Sequence, residues 1–125
     1  LFVKSRQDKE EFLTSDRKNF FEKLLFNFAA VSQLRILSLH DGGKLISACI
    51  VIDYNETYFL YNNAYSLMYN SFSVGLVSKI YAIKESLERN KNNFNFLRGN
   101  ERYKYHLGGK DIVIYTAEVK KIWIY

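Results

Sequence analysis

The sequence predicts an α+β fold, a mixed and mainly antiparallel sheet flanked by helices, and three observations lead there. Apolar residues recur at helical spacing in two separate stretches, they alternate at strand spacing in the runs between, and tight turns part those runs. A chain of 125 residues is one domain's worth of material, and 48% apolar with 17% aromatic residues gives it a core of ordinary size. No Pro interrupts any element, and no repeat of solenoid period occurs.

Taken in order, residues 1–13 alternate charge with Phe2, Val3, Phe12 and Leu13 and form an entry segment, leaving 14–125 as a single domain. Thr14, Ser15 and Asp16 are all helix-capping residue types, and Phe20, Phe21, Leu24, Leu25, Phe28 and Ala29 share one face, so a helix is predicted over 16–31. Leu34 to Leu39 is a short strand, closed by Asp41-Gly42-Gly43, whose glycines supply the positive φ of a hairpin turn. From Ile46 the even positions Ile46, Ala48, Ile50, Ile52 and Tyr54 form an apolar face, with Ser47 and Asp53 on the other. Asn55-Glu56 turns the chain into "TYFLYNNA", so 34–63 reads as a three-stranded antiparallel meander. Leu76, Ile80, Ile83 and Leu87 then mark a second helix, Val77 and Ala82 widening its apolar stripe, with Ser71 or Ser73 as its cap, Glu85 and Arg89 as an i,i+4 pair and Asn90 to Asn93 as its end. "FNFL" is a short strand, and "DIVIYTAEV", rich in β-branched and aromatic residues, is expected to be another.

Charge and chemistry narrow the function classes. A net charge of +5 and a pI near 9.3 suit an anionic partner such as a nucleotide cofactor, a nucleic acid or lipid headgroups. The lysines are scattered from Lys4 to Lys121, so none of the chain resembles a nucleic-acid-binding arm. No uninterrupted apolar run reaches the roughly 18 residues of a transmembrane segment. Cys49 is alone, inside an apolar run, and reads as a buried small hydrophobe, which with the lack of a signal peptide points to a cytoplasmic location. The chain opens on Leu1 rather than Met, which suggests a piece of a longer polypeptide. Two histidines and one cysteine offer no metal-ligand spacing, so no metal is expected. No G-x-S-x-G elbow, P-loop or G-x-G-x-x-G occurs, so catalysis here would rest on positioning, a backbone oxyanion site and one acid or base.

Two stretches carry candidate chemistry. "AYSLMYNSFSVG" leads into the second helix, and the N–H groups and positive dipole end at Ser73 and Gly75 suit a phosphate, although an ordinary capped helix has the same pattern. "FLRGNERYKYHLGG", residues 96–109, places Arg98 just after a strand, Gly99 at a sharp turn, and Lys104 between Tyr103 and Tyr105. Arg98 suits phosphate or carboxylate as a ligand, yet it equally suits pairing with Glu101 while the tyrosines fill the core.

"FNFLRGNERYKYHLGG" resembles the closing motif of the acetyltransferase domain of the cellulose-biosynthesis-associated CelD/BcsL group, a branch of the GNAT superfamily related to the Fem-type aminoacyltransferases. "FFEKLLFNFAAVSQLRILSL", "GGKLISACIVIDYNETYFLYNNAY" and "VGLVSKIYAIKESLERN" are similar to its leading helix and strand, its hairpins and the helix after its cofactor loop. The resemblance covers about residues 20 to 117 and implies a GNAT-like fold in a bacterial acyltransferase. Its donor would be acetyl-CoA or another acyl-CoA, and its acceptor the amine or hydroxyl of a small molecule or cell-envelope precursor. Arg98, Gly99, Tyr103 and Lys104 fall on the motif's positions and Gly75 on the glycine opening the helix. The roles this implies are proton donor for Tyr103, donor binding for Ser73 and Gly75, and substrate binding for Arg98, Gly99 and Lys104. The superfamily's two spaced glycines are reduced in "NSFSVGL" to Gly75 alone. Two other readings stay open: a non-catalytic half-domain serving as scaffold or binding module, and Fem-like aminoacyl transfer from tRNA, which would bring a second GNAT-like domain in the parent chain.

Overall fold

The computed structural model describes residues 13–120, so the entry segment expected over 1–13 lies outside the described residues except for Leu13. The elements are α1 (Ser15–Ala30), β1 (Leu34–Asp41), β2 (Lys44–Tyr54), β3 (Thr57–Tyr65), a 3-10 helix (Leu67–Phe72), α2 (Val74–Glu88), β4 (Asn93–Asn95) and α3 (Arg102–His106). The sheet order is β1-β2-β3-β4, antiparallel through β3, with β4 parallel to β3. The α+β architecture with a mixed, mainly antiparallel sheet is therefore the one the sequence predicted.

Local chemistry accounts for the hairpins and helix ends. Asp41 pairs with Lys44 around Gly42 and Gly43 at φ 52 and 81, and Tyr54 pairs with Thr57 around Asn55 and Glu56 at φ 45 and 57. Two consecutive positive-φ residues give a turn whose twist matches the flanking strands. Thr14 caps α1, its Oγ1 accepting from the Arg17 N–H. The helices α1, α2 and α3 end in the same way: Gln33 N–H donates to Phe28, Lys91 to Ser86 and Gly109 to Lys104, with Ser32, Asn90 and Gly108 left-handed between. This pair of reversed hydrogen bonds satisfies carbonyls that the helix itself leaves open.

The two long helices cover opposite faces of the sheet. Under α2 lie Ser47, Cys49, Val51, Tyr58 and Leu60, all buried, with Ala82 of α2 among them. On the other face Phe21 of α1 meets the Tyr61 ring edge-on at 5.9 Å, and a cavity of about 300 Å³ remains between Phe21 and Leu25 on one side and Ala48 and Ile50 on the other.

Three expectations need correction. In β2 the odd face, Ser47 included, is the more deeply buried, and the even face is mostly half-buried under α1. In α2 most of the predicted core stripe is turned away from the sheet: Leu76, Ile80 and Leu87 are exposed and Val77 and Ile83 half-buried, and of the stripe only Ala82 joins Val74, Gly75, Ser78, Lys79 and Ser86 on the buried face. Small residues win that face because they let the helix axis come close to the strands, as Gly75 does against the Tyr65 ring. "DIVIYTAEV" forms no strand; Ile112 is 81% and Tyr115 91% exposed. Strand propensity measures fit to a pleated neighbour, and this segment has no such neighbour among the described residues.

Candidate functional site

The β3–β4 ladder is short and sets the geometry. Thr57 to Phe59 pair with Asn93 to Asn95, and among the described residues no pairing continues beyond them. From Leu60 to Tyr65, β3 thus keeps an edge on the β4 side that no described strand covers, part of it taken by the Asn63 N–H, which donates to Asn62 Oδ1 at 2.8 Å. A bulge sits at the start of this stretch: Ile50 faces Asn62 while Val51 faces Leu60, leaving Tyr61 as the extra residue. Bulges bend a strand and redirect its side chains.

Opposite the open edge stands α3, held by the stretch "LRGNERYKYHLGG". The Lys104 ammonium, only 7% exposed as a residue, donates to the carbonyls of Arg98 at 2.9 Å, Gly99 at 3.3 Å and Leu97 at 3.4 Å, and lies 2.8 Å from Glu101 Oε2. Gly99, at φ 116, could carry no side chain without striking that carboxylate. Gly108 and Gly109 form the α3 terminus, where a Cβ on Gly109 would come within 2.8 Å of the Lys104 carbonyl oxygen. The stretch is a compact turn and helix, and Tyr103, Lys104 and Tyr105 are successive residues of that helix. Arg98 is exposed on its outside.

Tyr103 projects from this turn toward the sheet. Its ring meets Phe96 edge-on at 6.2 Å, and the Lys79 ammonium of α2 lies 4.6 Å from its centroid. Lys79 Nζ donates to Asn63 Oδ1 of β3 at 2.7 Å and to the Gly75 carbonyl at 2.8 Å. Asn63 Nδ2 in turn donates to Ala48 O and Ser78 Oγ, both at 3.1 Å, and approaches Cys49 Sγ at 3.2 Å, while Ser47 Oγ and Ser78 Oγ lie 2.9 Å apart. A polar network therefore runs from Tyr103 through α2 to the open strand. Burial pushes the Tyr103 phenol above its ordinary range, and the Glu101 carboxylate and Cys49 add to the shift. Burial likewise pushes the Cys49 thiol up, against smaller opposing effects of Ser78, Lys79 and Asn63.

The start of α2 closes one end of the site. Ser73 is left-handed at φ 51, and its side chain makes no capping hydrogen bond, contrary to expectation. Its carbonyl takes the N–H groups of Leu76 and Val77, and the first amides of the helix are left without a side-chain acceptor from Ser73. A Cβ on Gly75 would lie 2.7 Å from Cδ1 of Tyr65. The structure brings Gly75, Tyr103 and the sheet together through Lys79, holds Lys104 inside the turn, and leaves Arg98 on the rim. Sequence reasoning passed over Lys79, Asn63, Ser47 and Ser78. The one legible trace was the helical spacing of Gly75, Ser78, Ala82 and Ser86, a stripe of small residues beside the apolar one. Among the described residues no group of three or more His, Cys, Asp or Glu could hold a metal ion, and no helix is long and apolar enough to cross a membrane.

Against this geometry, the family model described as "Acetyltransferase (GNAT) domain" matches residues 1–105. No curated protein matches the chain. Among solved structures, the aminoglycoside antibiotic 6'-N-acetyltransferase from Acinetobacter haemolyticus, in its apo form, is similar over 89% of this chain and 88% of its own, at 11% identity and a TM-score of 0.58. The ribosomal-protein-S18-alanine N-acetyltransferase from Escherichia coli matches 52% of the chain at 21% identity and a TM-score of 0.46, and this chain spans 43% of that enzyme's length.

Proposed function

The chain belongs to the acetyltransferase (GNAT) domain family, and from that membership we propose that it is an acyltransferase taking acetyl-CoA or another acyl-CoA as donor. The observation that carries this reading is the open β3 edge, flanked by an uncapped helix start on one side and by Tyr103 on the other. The diphosphate of the donor suits the helix start at Ser73 and Gly75, where the dipole of α2 favours negative charge, with the Gly75 amide as donor because the Ser73 N–H is given to the Asn70 carbonyl. Gly75 fits there because its missing side chain lets α2 lie against Tyr65. The amide-bearing arm of the donor suits the Leu60 to Tyr65 edge of β3 that no described strand covers, as an added strand would. Tyr103 is the proton donor to the departing sulfur; a phenol is protonated at neutral pH, and burial shifts this one further that way. Arg98, on the rim beside Gly99, holds an anionic group of the acceptor, and Lys104 acts through the turn it organises. The acceptor is an amine or hydroxyl of a small molecule or cell-envelope precursor. The motif around Arg98 to Tyr105 supports a place in the CelD/BcsL branch, and residues 14–125 form one GNAT-like unit.

One observation favours a second reading. Ile112 to Tyr115 and the Leu76–Ile80–Leu87 side of α2 are exposed apolar surfaces, which suits a half-domain that works against a second GNAT-like unit, including the Fem-like arrangement with tRNA. Titration calorimetry with acetyl-CoA separates the two. Sub-millimolar binding, together with a Tyr103→Phe variant that binds equally well but releases CoA about 10²- to 10⁴-fold more slowly, is the result the acyltransferase reading requires. Absence of binding overturns it.

A further inference from the structure

A lysine in the second turn of α2, on the face that touches the sheet, stands where helix packing calls for an apolar or small residue. Lys79 is 8% exposed, and its ammonium is aimed along the sheet rather than outward to water. Two acceptors, Asn63 Oδ1 and the Gly75 carbonyl, fix its position at 2.7 and 2.8 Å. Asn63 is itself oriented by donating to Ala48 O and Ser78 Oγ, so the amide oxygen is committed to the ammonium side. The Tyr103 ring stacks on that charge with 4.6 Å between Nζ and the ring centroid, and Phe96 sets the ring's tilt from another side. A cation against a ring face attracts a phenol and attracts a phenolate more strongly, because the ionised ring carries more electron density.

We propose that Lys79 is a positioning residue for Tyr103, holding the ring toward the open β3 edge and stabilising the phenolate left behind when the phenol gives up its proton. The proposal rests on the reading of this site as an acyl-CoA site. In the transfer, the acceptor nitrogen or oxygen forms a bond to the acyl carbon and loses its own proton to solvent. The C–S bond breaks with its electron pair on sulfur, and the sulfur takes the Tyr103 proton. The phenolate recovers a proton from water. Lys79 neither gains nor loses one; its charge makes the intermediate phenolate less costly.

The groups facing Tyr103 act in opposite directions. Burial opposes ionisation most, and Glu101, in the loop before α3, and Cys49 of β2 work the same way. Lys104, next in the helix, is engaged by Glu101 and three carbonyls of its own turn. Lys79 supplies positive charge to the ring face from α2.

The test is made on the full chain with tyrosines replaced by 3,5-difluorotyrosine, whose phenol ionises near neutrality, read by fluorine NMR. The Tyr103 resonance is assigned by its loss in Tyr103→Phe. Lys79→Met is expected to raise the Tyr103 ionisation by about one pH unit, and Lys79→Arg to leave it close to its original place. Tyr61, on the α1 face, is the internal control and is expected not to move. Should Lys79→Met fail to fold, Lys79→Gln keeps a donor for Asn63 and Gly75 while removing the charge, and the same rise is expected. Unchanged titration of Tyr103 in the neutral variants, or a shift as large in Lys79→Arg, overturns the proposal. The readout needs no turnover, so a chain that proves unable to bind acetyl-CoA defeats the functional reading by a separate result. Where turnover is measurable, Lys79→Met is expected to lower kcat and move its alkaline limb upward with KM for acetyl-CoA unchanged.

Discussion

Lys104 and Lys79 are both lysines buried to within a tenth of full enclosure, yet they act in different ways. Three carbonyls and Glu101 converge on Lys104 and make it the centre of the turn that carries α3. Removing its charge leaves those oxygens without their donor, so Lys104→Met is expected to cost about 2–3 kcal/mol in urea unfolding, the range for hydrogen bonds to a charged group. Lys104→Arg is expected not to rescue, because a planar fork cannot meet three converging carbonyls. The sequence singled out Arg98, Gly99, Tyr103 and Lys104 as belonging together, and they do form one turn. It did not show that Lys104 is turned inward, since a run of cations, tyrosines and glycines reads the same whether its ammonium faces a ligand or its own backbone.

Among the elements, α2 shows how packing overrides periodicity. Its apolar stripe predicted one core face and the helix uses another, because Gly75, Ser78, Ala82 and Ser86 allow a closer approach to β2 and β3. Gly75→Ala decides between two effects of opposite sign. Helix propensity alone would stabilise the variant by about 1 kcal/mol, whereas a Cβ 2.7 Å from the Tyr65 ring forces strand and helix apart and costs about 1–3 kcal/mol. The expected outcome is a net loss in thermal unfolding and weaker acetyl-CoA binding, since the helix start moves away from the β3 edge. Hairpins and helix ends were more legible, because Gly42-Gly43 and Asn90 depend on local φ preference and little else. "DIVIYTAEV" was legible only as a preference, and no partner strand among the described residues satisfies it.

Across the whole molecule, one buried tyrosine and two half-buried ones tie stability to pH. Tyr58, Tyr61 and Tyr103 are all raised above the ordinary value of 10.0, with burial the leading cause in each. A raised folded value means that the stability these phenols contribute is complete below their unfolded value and is lost as pH climbs through the folded one. The chain is therefore expected to hold a constant urea midpoint from about pH 7 to 9 and to lose stability above about pH 10. Replacing Tyr61 by Phe is expected to soften that alkaline loss, and equal loss in the variant would show that its burial has no such effect.

By itself the sequence determined the order of helices and strands through β4, the two hairpin turns and the C-terminal ends of α1 and α2, because each of these follows from preferences acting over a few neighbouring residues, and its motifs carried the likeness to acetyltransferases. Only the tertiary structure decided which face of α2 meets the sheet, that the ladder stops at Phe59, and that Lys79, Asn63 and Tyr103 meet at the open edge. Those outcomes depend on how closely two backbones approach and where a buried charge finds its acceptors, and both are set by residues far apart in the chain.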